Sequence, residues 1–116
     1  MDYKIIDAQK ITSMLFNDEE YVAEFCNAGV SSFDEFLEHY RTYLLERNME
    51  DLRKAGHKIK PGAQMMDATE IVEEYEHAKQ LLQNDASSDR LQDSVDKMND
   101  LCTTVCNELS QLAKNQ

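Results

Sequence analysis

Between Leu91 and Leu112 apolar residues recur in steps that alternate between four and three: Leu91, Val95, Met98, Cys102, Val105, Leu109 and Leu112. A seven-residue repeat of this kind marks one face of an α-helix that crosses its neighbours at a shallow left-handed angle. A half-buried strand would alternate every second residue instead. A second stripe runs from Asp18 to Arg47 through Val22, Cys26, Gly29, Phe33, Phe36, Leu37, Tyr40 and Leu44. It passes through Ala28-Gly29-Val30-Ser31-Ser32 without losing phase. One long helix, bent there if anywhere, is therefore expected, with two helices as the alternative. Only three glycines and one proline punctuate the whole chain, and residues that favour helices dominate.

The other segments read the same way. A short first helix is expected over Asp7 to Phe16, with Ile11, Met14 and Leu15 inward, and Asn17 or Asp18 capping the next helix. Asn48 caps a helix from Met49 whose inward stripe is Leu52, Ala55, Gly56, Ile59, Gly62, Ala63 and Met66. Asp67 forms a short junction. A fourth helix near Ala68 to Gln83 turns Ile71, Tyr75, Ala78 and Leu82 inward. Asn84 to Ser88 is a loop, and the last helix covers about Asp89 to Ala113. Short loops between long helices imply antiparallel neighbours. The expected fold is all-α: an up-down-up-down four-helix bundle over about 18–113, with the short N-terminal helix added, in a single domain spanning 1–116.

Charge narrows the function. Twelve basic residues against twenty-three acidic ones give a net charge of −11. That disfavours both nucleic-acid backbones and anionic membrane surfaces, which attract Lys and Arg. No apolar run approaches the roughly 20 residues of a membrane span, and Met1 to Lys10 lacks the pattern of a signal peptide. Three cysteines, Cys102 and Cys106 on one helix face among them, fit reduced thiols in the cytoplasm better than a disulfide framework. No metal-ligand spacing is evident. The start at Met1 and the short tail after Ala113 favour a free-standing protein, and a monomer is expected.

The informative face belongs to the third helix. At about 100° per residue, Leu52, Ile59, Ala63 and Met66 fall together, and His57 lies well over 100° from them, beside Arg53, Lys60 and Gln64. No acid occurs between Asp51 and Asp67, and four of the twelve basic residues lie between Arg53 and Lys60. A lone outward histidine is ordinarily a solvated surface residue. An imidazole inside an acid-free basic patch suits an anion instead, and Lys60, one turn away, is placed to meet it. Pro61 removes a hydrogen bond to the carbonyl of His57. The plain reading ends the helix at Lys60 and starts another with Pro61. The unbroken stripe favours a kinked continuous helix, in which Pro61 and Gly62 leave space beside His57 for another protein.

His57-Lys58-Ile59-Lys60-Pro61-Gly62-Ala63, preceded by Leu52 and Ala55, resembles the signature of histidine-containing phosphotransfer (HPt) domains, over about Asp18 to Ala113. The resemblance implies a helical bundle in which His57 accepts a phosphoryl group and Lys60 stabilises it. The family's usual glycine is replaced by Pro61, with Gly62 one residue later. Its polar residue on the following helix falls at Lys79, a poor match, with Gln80 one off register. The partners implied are receiver domains of response regulators and hybrid sensor histidine kinases, which would bring Mg²⁺. This chain itself would bind no cofactor. Arg53, Lys54, Pro61, Gly62 and Gln64 would form the docking surface, with Met65 as an apolar contact.

The scattered glycines form no nucleotide-binding loop, so a phosphoryl carrier without ATP-dependent kinase activity is expected. Two rivals remain: a binding-only module that docks receivers or kinases without transfer, and a scaffold that assembles through the last helix. A hydrolase fits worst, because no second catalytic group stands beside His57. His39 and His77 lie outward among acids and read as ordinary surface residues. Glu73, Glu74 and Glu76 read as a solvated face, and the methionines as core filler.

Overall fold

The computed structural model describes residues 3–116; Met1 and Asp2, the start of the N-terminal stretch, lie outside the described residues. Five helices and no strand form among them: α1 (Ala8–Met14), α2 (Glu19–Leu45), α3 (Met49–Met65), α4 (Thr69–Gln83) and α5 (Ser88–Lys114). The long second stripe is one helix of 27 residues, about 40 Å at 1.5 Å per residue. Pro61 lies inside α3, which continues to Met65. No helix among the described residues is long and apolar enough to cross a membrane.

Local chemistry sets the helix starts. Asp7, Asp18, Asn48 and Ser87 each accept a hydrogen bond from the backbone amide three residues on. Each thereby satisfies an amide that the first turn leaves without a partner. The cap of α2 is Asp18, not Asn17. Ala68 precedes α4 and provides no side-chain cap. At the other ends Phe16, Arg47, Asp67 and Asp85 all adopt positive φ. This left-handed residue, just past the helix, is the position that glycine fills most easily.

The stripes meet in one apolar core. α2 lies against α3 and α5, and α4 lies against the same two. Tyr40, Phe33, Leu44, Leu52, Met66, Ile71, Leu91, Met98 and Leu109 are fully buried. Each such aliphatic side chain contributes about 1.5–3 kcal/mol relative to exposure. On α4 the inward residue near the end is Leu81, and Leu82 is only half-buried, because the helix meets α5 one position earlier than the stripe suggested. Gly29 is half-buried rather than core. Gly62, also expected inward, is half-buried too, and a side-chain carbon added there meets no atom within 4 Å.

The N-terminal segment joins α5 to the C-terminal end of α3. The Glu108 carboxylate of α5 accepts the backbone amides of Lys4, Ile5 and Ile6. The Asp7 amide donates to the Met66 carbonyl at 2.9 Å, and Lys10 Nζ donates to the Gln64 carbonyl at 3.0 Å. Ile6 and Ile11 are buried by this arrangement, while Met14 and Leu15 are half-buried.

One polar cluster sits inside the core. Glu74 of α4 is 4% exposed, which corrects the reading of its face as solvated. Its carboxylate accepts from Ser94 Oγ at 2.5 Å and pairs with Lys97 Nζ at 3.3 Å. It also meets His77 Nδ1 at 3.1 Å. The Tyr40 hydroxyl shares a hydrogen bond with Ser94 Oγ at 2.7 Å. A buried carboxylate is tolerable only with such partners, since an unpaired one costs several kcal/mol.

Candidate functional site

His57 is exposed on α3, opposite the side chains of Leu52, Ile59 and Ala63, which are buried. It makes no hydrogen bond or ion pair among the described residues, so both ring nitrogens are open to solvent or to a partner. The helix beneath it is rigidly seated. Gly56, its neighbour, is buried, and the ring of Tyr75 on α4 fills the space that a side chain at Gly56 would need. The Tyr75 hydroxyl donates to the Arg53 carbonyl at 3.4 Å. Burial raises the pKa of Tyr75, which keeps that hydroxyl protonated and able to donate.

The basic patch is less isolated than the sequence implied. Lys60 Nζ lies 3.5 Å from Glu76 of α4. Lys58 Nζ lies 2.9 Å from Glu35 of α2. Lys54 pairs within its own helix with Glu50 and Asp51, both at 3.8 Å. The stretch from Arg53 to Lys60 lacks acids, yet the two neighbouring helices bring carboxylates to it. Only Arg53, one turn before His57, has no ion-pair partner among the described residues.

Lys79 is nearer the site than its poor match suggested. It is 23% exposed and pairs with Glu76 at 3.0 Å. Its ammonium lies 4.8 Å from the centre of the Tyr75 ring, a cation–π contact. Gln80 points to solvent. Glu76 therefore bridges two lysines from different helices. The hydrogen bond from Lys79 is the main reason its carboxyl lies below the ordinary range; burial opposes it, and the charges of both lysines and the weaker hydrogen bond from Lys60 add to the lowering. Two ammonium groups thus share the one carboxylate of Glu76, and Arg53 adds a further positive charge near Tyr75.

The other residues expected at a docking face differ in exposure. Pro61 and Gln64 are exposed, Gly62 is half-buried, and Met65 is 41% exposed. The space around Gly62 means that the fold does not require a glycine there. His39 is half-buried, stacked on Tyr43 with ring centres 5.5 Å apart. It lines a cleft between α2 and α3 with Phe36, Ala55, Lys58 and Ile59. His77 is tied to the buried Glu74. His77 is exposed, as expected, while His39 is less open than expected.

Cys26 and Cys102 are buried and Cys106 is half-buried, all as free thiols. No group of His, Cys, Asp and Glu suited to a metal ion occurs among the described residues.

Sequence reasoning missed Glu76, Glu35 and Tyr75 as parts of this site. No local signal marks them, because each acts across a helix boundary. For Glu74 a signal existed: with Ile71, Tyr75 and Ala78 it completes the i, i+3, i+4, i+7 face of a core helix. Comparison of the chain with protein-family models, with curated proteins and with solved structures finds no match in any of the three.

Proposed function

We propose that this protein is a phosphoryl carrier of the HPt type, built as an up-down-up-down bundle of α2 to α5 in one domain. His57 accepts a phosphoryl group from an aspartyl phosphate on a receiver domain and passes it to the aspartate of another. The observation that carries the reading is the state of His57. It is an exposed imidazole without hydrogen bonds among the described residues, on a helix held in place by the Gly56–Tyr75 contact, with Arg53 and Lys60 each about one turn away on the same helix.

A neutral imidazole has one ring nitrogen with a free lone pair. That nitrogen attacks phosphorus. An N–P bond forms, the O–P bond to the donor carboxylate breaks, and its electron pair returns to the carboxylate. The other ring nitrogen keeps its proton. Onward transfer reverses these steps on a second receiver. Such chemistry asks chiefly for alignment and charge neutralisation. Lys60 supplies charge from this side, and the receiver supplies Mg²⁺ and its own aspartate. Arg53, Lys54, Pro61, Gly62, Gln64 and Met65 form the docking face. In this reading the chain works in the cytoplasm as a monomer, with no cofactor of its own and no kinase activity toward ATP.

A second reading has one observation in its favour. Lys60 already has Glu76 as a partner, as a module that docks receivers without taking phosphate would allow. The two separate in a transfer assay. A radiolabelled receiver phosphate is mixed with Mg²⁺ and either wild-type protein or His57→Gln. Acid-labile label that moves only to the wild type supports the carrier. Binding of receivers with no transfer, equal for both proteins, supports the docking module.

A further inference from the structure

We infer that Glu76 is an internal counter-anion that occupies Lys60 and Lys79 while His57 is unphosphorylated, and that it thereby sets how far phosphoryl transfer runs toward this protein. The inference rests on the carrier reading above and deepens it.

The geometry is that of one carboxylate shared by two ammonium groups. Glu76 Oε1 lies 3.5 Å from Lys60 Nζ, and Glu76 Oε2 lies 3.0 Å from Lys79 Nζ. Lys60 follows His57 by three residues on the same helix, so its side chain leans back toward the turn that carries the imidazole. A phosphoryl group on His57 brings about two negative charges and three acceptor oxygens. Lys60 cannot serve Glu76 and that group equally well. Its ammonium therefore moves toward the phosphate, and the pairing with Glu76 weakens. Lys79 is held differently, with the Tyr75 ring beneath it, so it stays near Glu76 when Lys60 leaves.

Competition fixes the sign. The carboxylate stabilises the unphosphorylated protein by its contacts with the lysines, and it repels the phosphoryl dianion that would replace it. Both effects oppose phosphorylation of His57. Glu76 takes no part in bond making: an O–P bond on the receiver carboxylate is exchanged for an N–P bond on His57, as before. Its role is to position and neutralise Lys60.

Glu76→Gln keeps the shape and one acceptor while removing the charge. At equilibrium with a single phosphorylated receiver, the variant should hold more phosphate than wild type, with a transfer constant raised roughly threefold to tenfold, as expected for losing two half-exposed ion pairs. The gain should shrink in a Lys60→Gln background and at high salt, where exposed charges are screened. A cooperative thermal melt well above the assay temperature would show that the variant is folded. An unchanged or lowered constant in Glu76→Gln overturns the inference, as does a gain that persists undiminished without Lys60.

A parallel measurement uses phosphoramidate, whose own N–P bond breaks to release ammonia as the bond to His57 forms. The equilibrium is followed by phosphorus NMR. Receivers that fail to label the wild type, with phosphoramidate labelling His57 more fully in Glu76→Gln, would sink the carrier reading and leave the counter-anion standing. Absence of label at His57 from either donor overturns both.

Discussion

The ring of Tyr75 on α4 lies so close to Gly56 on α3 that a methyl group at Gly56 would overlap three of its atoms. This contact seats the helix that carries His57. Gly56→Ala should destabilise the protein by about 1–3 kcal/mol, because overpacking outweighs the ~1 kcal/mol that alanine gains over glycine inside a helix. Urea unfolding of Gly56→Ala, Tyr75→Ala and the double variant checks it. The two losses should fall well short of adding, since removing the ring relieves the clash. Full additivity would mean that the two residues do not depend on each other.

Phe16 is 88% exposed and holds φ at 59°. A residue with a side chain in the left-handed region costs roughly 1–2 kcal/mol, a cost glycine avoids. Phe16→Gly should therefore raise stability by about 1 kcal/mol, with little apolar burial lost. Phe16→Ala should gain nothing, because alanine meets the same backbone penalty. Melting temperatures of the two variants against wild type decide the point.

Pro61 is exposed inside α3 and has no amide to donate to the carbonyl of His57. Pro61→Ala restores that donor and should stabilise the protein by about 1–3 kcal/mol. Chemical denaturation measures the gain. A loss of stability instead would mean that the surrounding helices are fitted to a kink at this turn.

Acid should act through Glu76 among other carboxylates. Its pKa lies below the ordinary 4.5, chiefly through the hydrogen bond from Lys79. A depressed carboxylate contributes stability above its unfolded value, and that contribution disappears as pH falls through the folded value. Glu76→Gln should be less stable than wild type at neutral pH, by no more than about 1 kcal/mol for so exposed a group. The difference should shrink as pH falls from the unfolded value through the lower folded one. Unfolding curves of both proteins across that range test the sign. A gap that widens in acid contradicts it.

The thiols should be inert while the protein is folded. Burial raises the pKa of Cys26 to about 11. Burial and then the nearby Asp34 carboxylate raise that of Cys106 to about 12, and Cys102 lies higher still. Only the thiolate reacts. Alkylation at about pH 8 should be negligible in the native state and complete in urea. Rapid native labelling of Cys106 would show that its contacts with Val30 and Asp34 open readily.

The chain's helices were legible in advance because a helix is written by its own residues. The stripes from Val22 to Leu44 and from Leu91 to Leu112, the caps Asp18 and Asn48, and the outward phase of His57 all depend on spacing along one segment, and a period of 3.6 residues fixes which side chains share a face. The sequence also determined that Lys60 lies one turn from His57. It could not determine what faces Lys60 from outside α3. Glu76 reaches Lys60, Glu35 reaches Lys58 and Tyr75 reaches Gly56 only because α2 and α4 pack on either side of α3 at a particular rotation and height. A change of one position in that register, like the one that buries Leu81 in place of Leu82, rotates a helix by about 100° and would present other residues. The tertiary structure decided the charge balance around His57, because Coulomb energy depends on distance through space, and distance across helices is set by core packing rather than by order along the chain.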